Sequence, residues 1–125
     1  MKQVEIIGKF YDNHSLAIIN REVALRLSDS EKYPNINLAI TPIDQYDSQY
    51  KINKDSLQLI KDLENKEVEA DIQIRHTYPP IWRWPAHKKT KIVYIQPWEY
   101  TKIPFEWQYK FEQFADFLVT PSNWS

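Results

Sequence analysis

Two short apolar runs, at residues 72–74 (IQI) and 92–95 (IVYI), constrain the fold more than any other feature of the sequence. Both are rich in β-branched residues, and each stops at a polar or proline-broken segment that contains several aromatic residues. Runs of this length and composition are typical of strands buried in a parallel sheet. Because they alternate with helical patterns elsewhere in the chain, the sequence favours an α/β fold.

The rest of the chain extends this pattern. We expect strands at residues 3–10, 35–41, 70–75, 91–96 and 116–120, helices at about 15–27 and 56–65, and a third helix starting at Pro104. The predicted fold class is therefore α/β, with a Rossmann-like parallel sheet of about five strands and helices on both faces, in one domain spanning residues 1–125. Residues 43–53 and 78–90 are expected to be loops, the second because it holds three prolines and two tryptophans.

Spacing and capping patterns refine the predicted helices. The first helix is expected to bury a stripe formed by Leu16, Ile19, Val23 and Leu27. Asp55 is expected to cap the second helix, because its side-chain oxygen can accept from free first-turn amides. The third helix is expected to bury Trp107, Phe111 and Phe114.

Composition excludes several classes of function. The chain has 16 basic and 17 acidic residues, and this mixed charge argues against a nucleic-acid partner. It has no cysteine, and its three histidines lack ligand spacing, so neither a disulfide nor a metal site is predicted, and no cofactor is implied. No apolar run reaches membrane-spanning length and no secretory h-region is visible, so we predict no membrane span and a cytoplasmic location.

Gly8 is the single glycine of the chain. Both the P-loop and the GxGxxG fingerprint need several glycines, so the sequence excludes both. A glycine inside a strand pattern indicates a bend or a close approach of other atoms to the backbone.

Chemistry-bearing residues follow the predicted third and fourth strands. In an open α/β sheet, the ligand crevice lies at the carboxyl ends of the strands. His76 lies at the end of the third strand, directly after residue 75. Gln96 is the last residue of the fourth strand, and Trp98, Glu99 and Tyr100 follow it. His76 is equally consistent with a catalytic and a structural role, because geometry decides whether a histidine acts as a base. Glu99 is suited to orienting an acceptor hydroxyl, with an exposed loop carboxylate as the alternative.

Other candidates have similar alternatives. His14 lies beside the expected start of the first helix, where it could bind an acceptor or an anion, or simply cap the helix. Asp12 is a plausible N-cap in the same turn. The tryptophans at 82, 84 and 98 could form a sugar-stacking surface or pack the proline-rich loop against the sheet. Arg75 could contact a phosphate, with an ordinary surface ion pair as the simpler interpretation.

The phrases HSLAIINRE, ADIQIRHTYPPIWRWP, KIVYIQPWEY and DFLVTPSNWS resemble the amino-terminal half of bacterial family 4 (group 1) retaining glycosyltransferases of the GT-B fold. The most specific stretches are residues 76–84, 96–99 and 121–123. The resemblance implies two Rossmann-like domains that face each other across a cleft. In that arrangement the amino-terminal domain shapes the acceptor side, and the carboxyl-terminal domain, which this chain lacks, holds most of the nucleotide-sugar.

This chain departs from the family pattern at two places. Many members have a glycine-rich loop after the first strand, where this chain has residues 10–14, and a donor-contacting histidine after the fourth strand, where it has Gln96 or Pro97. With the resemblance, the catalytic candidates are Glu99 and His76. The candidate acceptor- or substrate-binding residues are Asp12, His14, Gln96, Trp98, Tyr100, Trp82 and Ser122.

The leading functional hypothesis is transfer of a sugar from a nucleotide-sugar donor to an acceptor hydroxyl, such as that of a glycan, with retention. The chain is expected to be a fragment of a longer protein, inactive alone and prone to self-association. The alternative is a free-standing binding module that holds a partner through the aromatic loops of residues 78–100. A flavodoxin-like nucleotide-binding regulator is disfavoured, because the chain lacks phosphate-loop glycines.

Overall fold

The computed structural model describes residues 2–12, 15–47, 49–64, 66, 69–77, 80–85, 87–95 and 105–119. Within them the elements are β1 (Lys2–Gly8), α1 (Ser15–Leu27), β2 (Ile36–Pro42), α2 (Lys54–Glu64), β3 (Ile72–His76), β4 (Lys91–Ile95), α3 (Phe105–Phe114) and a short β5 (Phe117–Val119). All paired strands are parallel, in the order β2-β1-β3-β4-β5. The predicted α/β class with a parallel sheet and helices is confirmed.

The strand order creates a switch point between β1 and β3. From β1 the chain crosses to β2 on one side and later returns to β3 on the other side. Connections that leave neighbouring strands in opposite directions open a crevice at the carboxyl ends of those strands. Gly8 and His76, the last residues of β1 and β3, pair in register at this edge of the sheet.

One face of the sheet carries an apolar core. Alternate residues of a strand point to the same face, and this face packs against α1 and α2. Its buried members are Val4, Ile6, Phe10, Tyr11, Ala24, Leu38, Ile40, Ile60 and Leu63. Full burial of a large aliphatic side chain contributes about 1.5–3 kcal/mol, whereas a hydrogen bond contributes about 0.5–1.5 kcal/mol. Burial on this face is therefore the stronger force docking the two helices.

The opposite face carries a second cluster around β4 and α3. Ile92 and Tyr94 pair with Gln73 and Arg75 of β3 and so point away from the first core. Phe111 and Phe114 of α3 cover them, as the sequence predicts, with Trp82 and Ala115 packed at the margin. The side chain of Trp107, the third residue of the predicted α3 stripe, lies outside the described part of the chain.

The buried face of α1 differs from the predicted stripe. Ile19 is 43% exposed, and the residues turned into the protein are Ala17, Asn20 and Ala24. Small side chains allow the helix axis to approach the sheet closely. Asn20 then donates to the carbonyl of Lys9, the residue after β1, and to that of His76 in β3. Val23 and Leu27 contact the core only from its margin. The prediction was wrong for Ile19, because it ranked residues by hydrophobicity and left out the polar contact of Asn20.

Several predicted boundaries shift by one or two residues, and two of these shifts have a clear cause. Strand β1 ends at Gly8 rather than residue 10, because the amides that follow it bond to the carboxylate of Asp44 instead of a neighbouring strand. Helix α2 begins at Lys54, and its cap is Asn53, not Asp55. The Asn53 Oδ1 atom accepts from the Asp55 amide at 2.8 Å, which is the geometry of an N-cap.

No helix in the described ranges is long and apolar enough to cross a membrane.

Gly8 has a specific packing role. A Cβ atom at this position would lie 2.5 Å from Asn20 Nδ2 and 2.6 Å from the carbonyl oxygen of His76. The second contact is with backbone, so it cannot be relieved by a side-chain rotation. The close approach that the sequence indicated at this glycine is confirmed.

We expect Gly8→Ala to destabilise the protein by about 1–3 kcal/mol, because overpacking forces the ends of β1 and β3 apart. The measurement is the free energy of unfolding in urea, with the exposed Ser30→Ala as the control. Equal stability of Gly8→Ala and the control would show that the junction has room for a methyl group.

Candidate functional site at the ends of β1 and β3

His76 lies at the switch point with its side chain 2% exposed. It is the last residue of β3 and sits beside Gly8 of β1 and Asn20 of α1. A histidine at the carboxyl end of a central strand occupies the region where open α/β sheets bind ligands. The structure thus brings the predicted His76 to the expected edge of the sheet.

Asn20 connects three elements at this junction. Its Nδ2 donates to the carbonyl oxygen of Lys9 at 3.0 Å and to that of His76 at 3.3 Å. Its Oδ1 lies 2.7 Å from His76 Nδ1. One side chain of α1 therefore holds the ends of β1 and β3 together and orients the imidazole ring.

The second ring nitrogen of His76 has a different environment. Nε2 is buried and has no hydrogen-bond partner within the described ranges. Burial disfavours the charged imidazolium and lowers the pKa of His76 below its ordinary value. The side chain is therefore a neutral imidazole near pH 7. Such a group can accept a hydrogen bond or a proton at Nε2 once a suitable donor is adjacent.

Asp44 organises the turn after β1. Its Oδ1 accepts from the amide of Phe10 at 2.9 Å, and its Oδ2 accepts from those of Tyr11 and Asp12 at 3.0 and 3.1 Å. Three successive amides aimed at one carboxylate form a small anion cradle. In this chain the cradle is filled from within, by a residue that follows β2.

A cleft of about 340 Å³ opens beside Asp44 and is lined by Tyr11, Asp44, Gln45, Tyr46, Lys61 and Glu64. The Tyr11 hydroxyl donates to Glu64. Burial, and then this bond to a carboxylate, raises the pKa of Tyr11 well above its ordinary value. Lys61 lies 5.2 Å from the ring centre of Tyr46. The cleft therefore holds aromatic faces and charges of both signs.

Arg75 is buried rather than exposed, so neither a surface ion pair nor an open phosphate contact describes it. Its Nε donates to Gln73 at 2.8 Å, and its Nη1 donates to the Tyr94 hydroxyl at 2.9 Å and to the Ile81 carbonyl at 3.1 Å. Gln73 in turn donates to Glu5 at 2.7 Å. These bonds offset the cost of burying the cation, which makes Arg75 a structural residue of the sheet.

Two further predicted site residues are described. Asp12 is buried, with its carboxylate 3.6 Å from Lys9 Nζ, and its carbonyl accepts from Arg21 at 2.9 Å. Trp82 packs against Tyr94 and Phe111, with ring centres 5.4 and 4.8 Å apart. This is the packing alternative for the proline-rich loop, and a role for Trp82 in binding substrate stays a prediction.

The remaining predicted site residues lie outside the described residues: His14, Gln96, Trp98, Glu99, Tyr100 and Ser122. Their roles stay predictions. Within the described ranges, no group of three or more histidine or acidic side chains is arranged to hold a metal ion.

Sequence reasoning missed Asn20, Asp44 and Tyr11. The position of Asn20 in the sequence did indicate a buried contact, because an amide on the apolar side of a helix is unusual and needs buried partners. Asp44 gave none, since it is one of several acidic residues in a polar loop. Its role follows only from the proximity of the turns after β1 and β2.

Comparisons of this chain with protein-family models, with curated proteins and with solved structures found no match.

The depressed pKa of His76 predicts a pH dependence of stability. The unfolded chain takes up this proton near its ordinary pKa of about 6.5, whereas the folded protein does so only at lower pH. The contribution of His76 to stability is therefore fully present above the unfolded pKa and is lost as the pH falls below it.

In urea unfolding between about pH 7.5 and 5.5, His76→Gln should lose less stability than the wild type. The exposed His87→Gln should follow the wild type. Parallel curves for all three would contradict the prediction.

Asp44→Asn should destabilise the protein by about 1–3 kcal/mol, because an amide cannot accept from three backbone donors at once and leaves part of the turn unsatisfied. Asp47→Asn, in the same loop and exposed, is the matched control. Equal urea midpoints for the two variants would mean that water replaces the carboxylate without cost.

Proposed function

We propose that this chain is the acceptor-side domain of a GT-B glycosyltransferase, with the sheet as its five-stranded, Rossmann-like half. The full enzyme moves a sugar from a nucleotide-sugar donor to an acceptor hydroxyl, with retention. The observation that carries the proposal is the buried, neutral His76 at the β1/β3 switch point, whose Nε2 has no partner in the described part of the chain. The hydroxyl group of a sugar-accepting molecule donates the hydrogen bond that Nε2 lacks.

The turn after β1 supports binding of the sugar acceptor, rather than of the nucleotide-sugar donor, by this domain. A nucleotide-sugar carries a diphosphate, and in many α/β folds such a group binds to free amides after the first strand. Here the amides of Phe10, Tyr11 and Asp12 already bond to Asp44. The diphosphate therefore depends on groups outside this turn, which agrees with a donor held mainly by a second domain.

A second candidate function is a binding module that holds a partner through its aromatic loop. Trp84 favours it, because this side chain is 63% exposed while its ring contacts that of Phe114 in a tilted arrangement, with centres 4.5 Å apart. An exposed tryptophan anchored on a core residue is a common feature of interaction surfaces. The same surface would also serve the self-association proposed for an isolated half.

The two functions are separated by a transfer assay on the complete encoded protein, screened over UDP- and GDP-sugars with saccharide acceptors. We expect His76→Ala to lower kcat/KM by about 100-fold, the usual scale for loss of an acid–base group, and Glu99→Gln to lower it as well. His87→Ala, which changes an exposed loop histidine, should match the wild type. Sugar transfer by residues 1–125 alone would contradict the acceptor-side assignment.

No turnover of any donor would favour the binding module. In that case Trp84→Ala should abolish partner binding, while the exposed Tyr109→Ala serves as the aromatic control.

A further inference from the structure

We propose that Asn20 is a positioning residue that holds His76 in the Nδ1–H tautomer and so presents Nε2 as an acceptor for a ligand hydroxyl. The role of Asn20 stands on the hydrogen-bond geometry, and the tautomer requires in addition only that the buried ring is neutral. The identity of the ligand as a saccharide rests on the proposed function.

The orientation of the Asn20 amide follows from its partners. Two carbonyl oxygens, those of Lys9 and His76, lie 3.0 and 3.3 Å from one atom of this amide. A carbonyl oxygen only accepts, so that atom is the NH₂ nitrogen. A flipped amide would set its oxygen against both carbonyls, and the orientation is therefore unambiguous.

The tautomer of His76 follows in turn. With its nitrogen committed to the two carbonyls, Asn20 directs Oδ1 at the imidazole Nδ1, 2.7 Å away. An amide oxygen is an acceptor, so Nδ1 carries the proton. In a neutral imidazole the other nitrogen then has a bare lone pair. The ring is neutral because burial lowers the pKa of His76.

The surroundings maintain this arrangement. Gly8 leaves the space that the Asn20 amide occupies, since a Cβ there would lie 2.5 Å from Nδ2. Ala17 and Ala24, fully buried on the same face of α1, bring the helix close to the sheet. The single glycine of the chain and two small helix residues therefore permit one polar contact.

A histidine with a purely structural role is expected to have a partner for each ring nitrogen. Buried polar atoms are nearly always paired, yet Nε2 of His76 has no partner within the described ranges, although the residue is only 2% exposed. The unpaired lone pair also selects its ligand. It repels a phosphate or carboxylate oxygen and attracts an O–H or N–H donor. The choice of a neutral, hydroxyl-bearing molecule among these donors rests on the proposed function.

The tautomer is tested by two-bond ¹H–¹⁵N correlation NMR on the protein labelled with ¹⁵N-histidine, at a pH where the ring is neutral. The His76 signals are assigned by their loss in His76→Gln, and the exposed His87 is the internal reference. We expect His76 to show a protonated Nδ1 and an unprotonated Nε2. A protonated Nε2, or an averaged mixture, overturns the proposal.

Two substitutions test Asn20 itself. Asn20→Leu removes the acceptor and should abolish the preference for Nδ1–H. Asn20→Asp keeps an oxygen facing Nδ1 and should keep that nitrogen protonated, at a cost in stability, because its second oxygen replaces the Nδ2 donor against the carbonyls of Lys9 and His76. An unchanged tautomer in Asn20→Leu, or a switched one in Asn20→Asp, overturns the role of Asn20. If Asn20→Leu does not fold, the wild type and Asn20→Asp still decide the question.

The ligand class is tested in the same spectra with methyl glucoside as the probe and sodium phosphate as the anionic comparison. We expect methyl glucoside alone to shift the Nε2 resonance of His76. A shift with phosphate alone overturns the proposed class. No shift with either, in a protein with the expected tautomer, counts against the saccharide ligand and leaves the positioning role of Asn20 supported. Failure of the saccharide function and failure of the tautomer are thus distinguishable.

Discussion

The approach of the ends of β1 and β3 around the side chain of Asn20 is the contact on which the candidate site depends. Gly8 lets the amide reach between the strands, and that amide satisfies two backbone carbonyls before it touches His76. The order of these effects matters physically. The bonds to the backbone carbonyls fix the orientation of the Asn20 amide. The amide fixes the tautomer of the His76 ring, and this tautomer leaves Nε2 as a hydrogen-bond acceptor. A change at any of these steps alters the chemistry at the last one.

The two faces of the sheet differ in their contacts, although the polar contact between Asn20 and His76 lies on the face covered by α1. Beneath α1 and α2 the contacts are almost all between aliphatic and aromatic side chains. On the opposite face β1 and β3 carry a chain of hydrogen bonds from Glu5 through Gln73 to Arg75. Towards β4, the same face is covered by α3 and its contacts are aromatic. The polar stretch is stable because its buried groups bond to one another, which removes most of the desolvation cost.

Much of the fold was predictable because it follows from local patterns. Short runs rich in Ile and Val indicated the strands, and the parallel α/β class follows from their alternation with helices. The errors lie where a distant residue competes with a local preference. Phe10 continues the apolar alternation of β1, yet Asp44 accepts from the Phe10 amide that a longer β1 would have used. Likewise, Ile19 fits an amphipathic stripe, but α1 turns Asn20 inward to reach two strands.

The sequence by itself predicted that His76 lies at a strand end and that Gly8 marks a bend or a close approach, and it excluded multi-glycine phosphate loops. These properties depend on neighbours in the sequence or on composition. Only the tertiary structure decided that Gly8, Asn20 and His76 meet, and that Asp44 fills the amide cradle after β1. The reason is that a hydrogen bond requires its two atoms within about 3 Å. Residues 56 positions apart in the chain, such as Asn20 and His76, reach that distance only through the packing of α1 on the sheet.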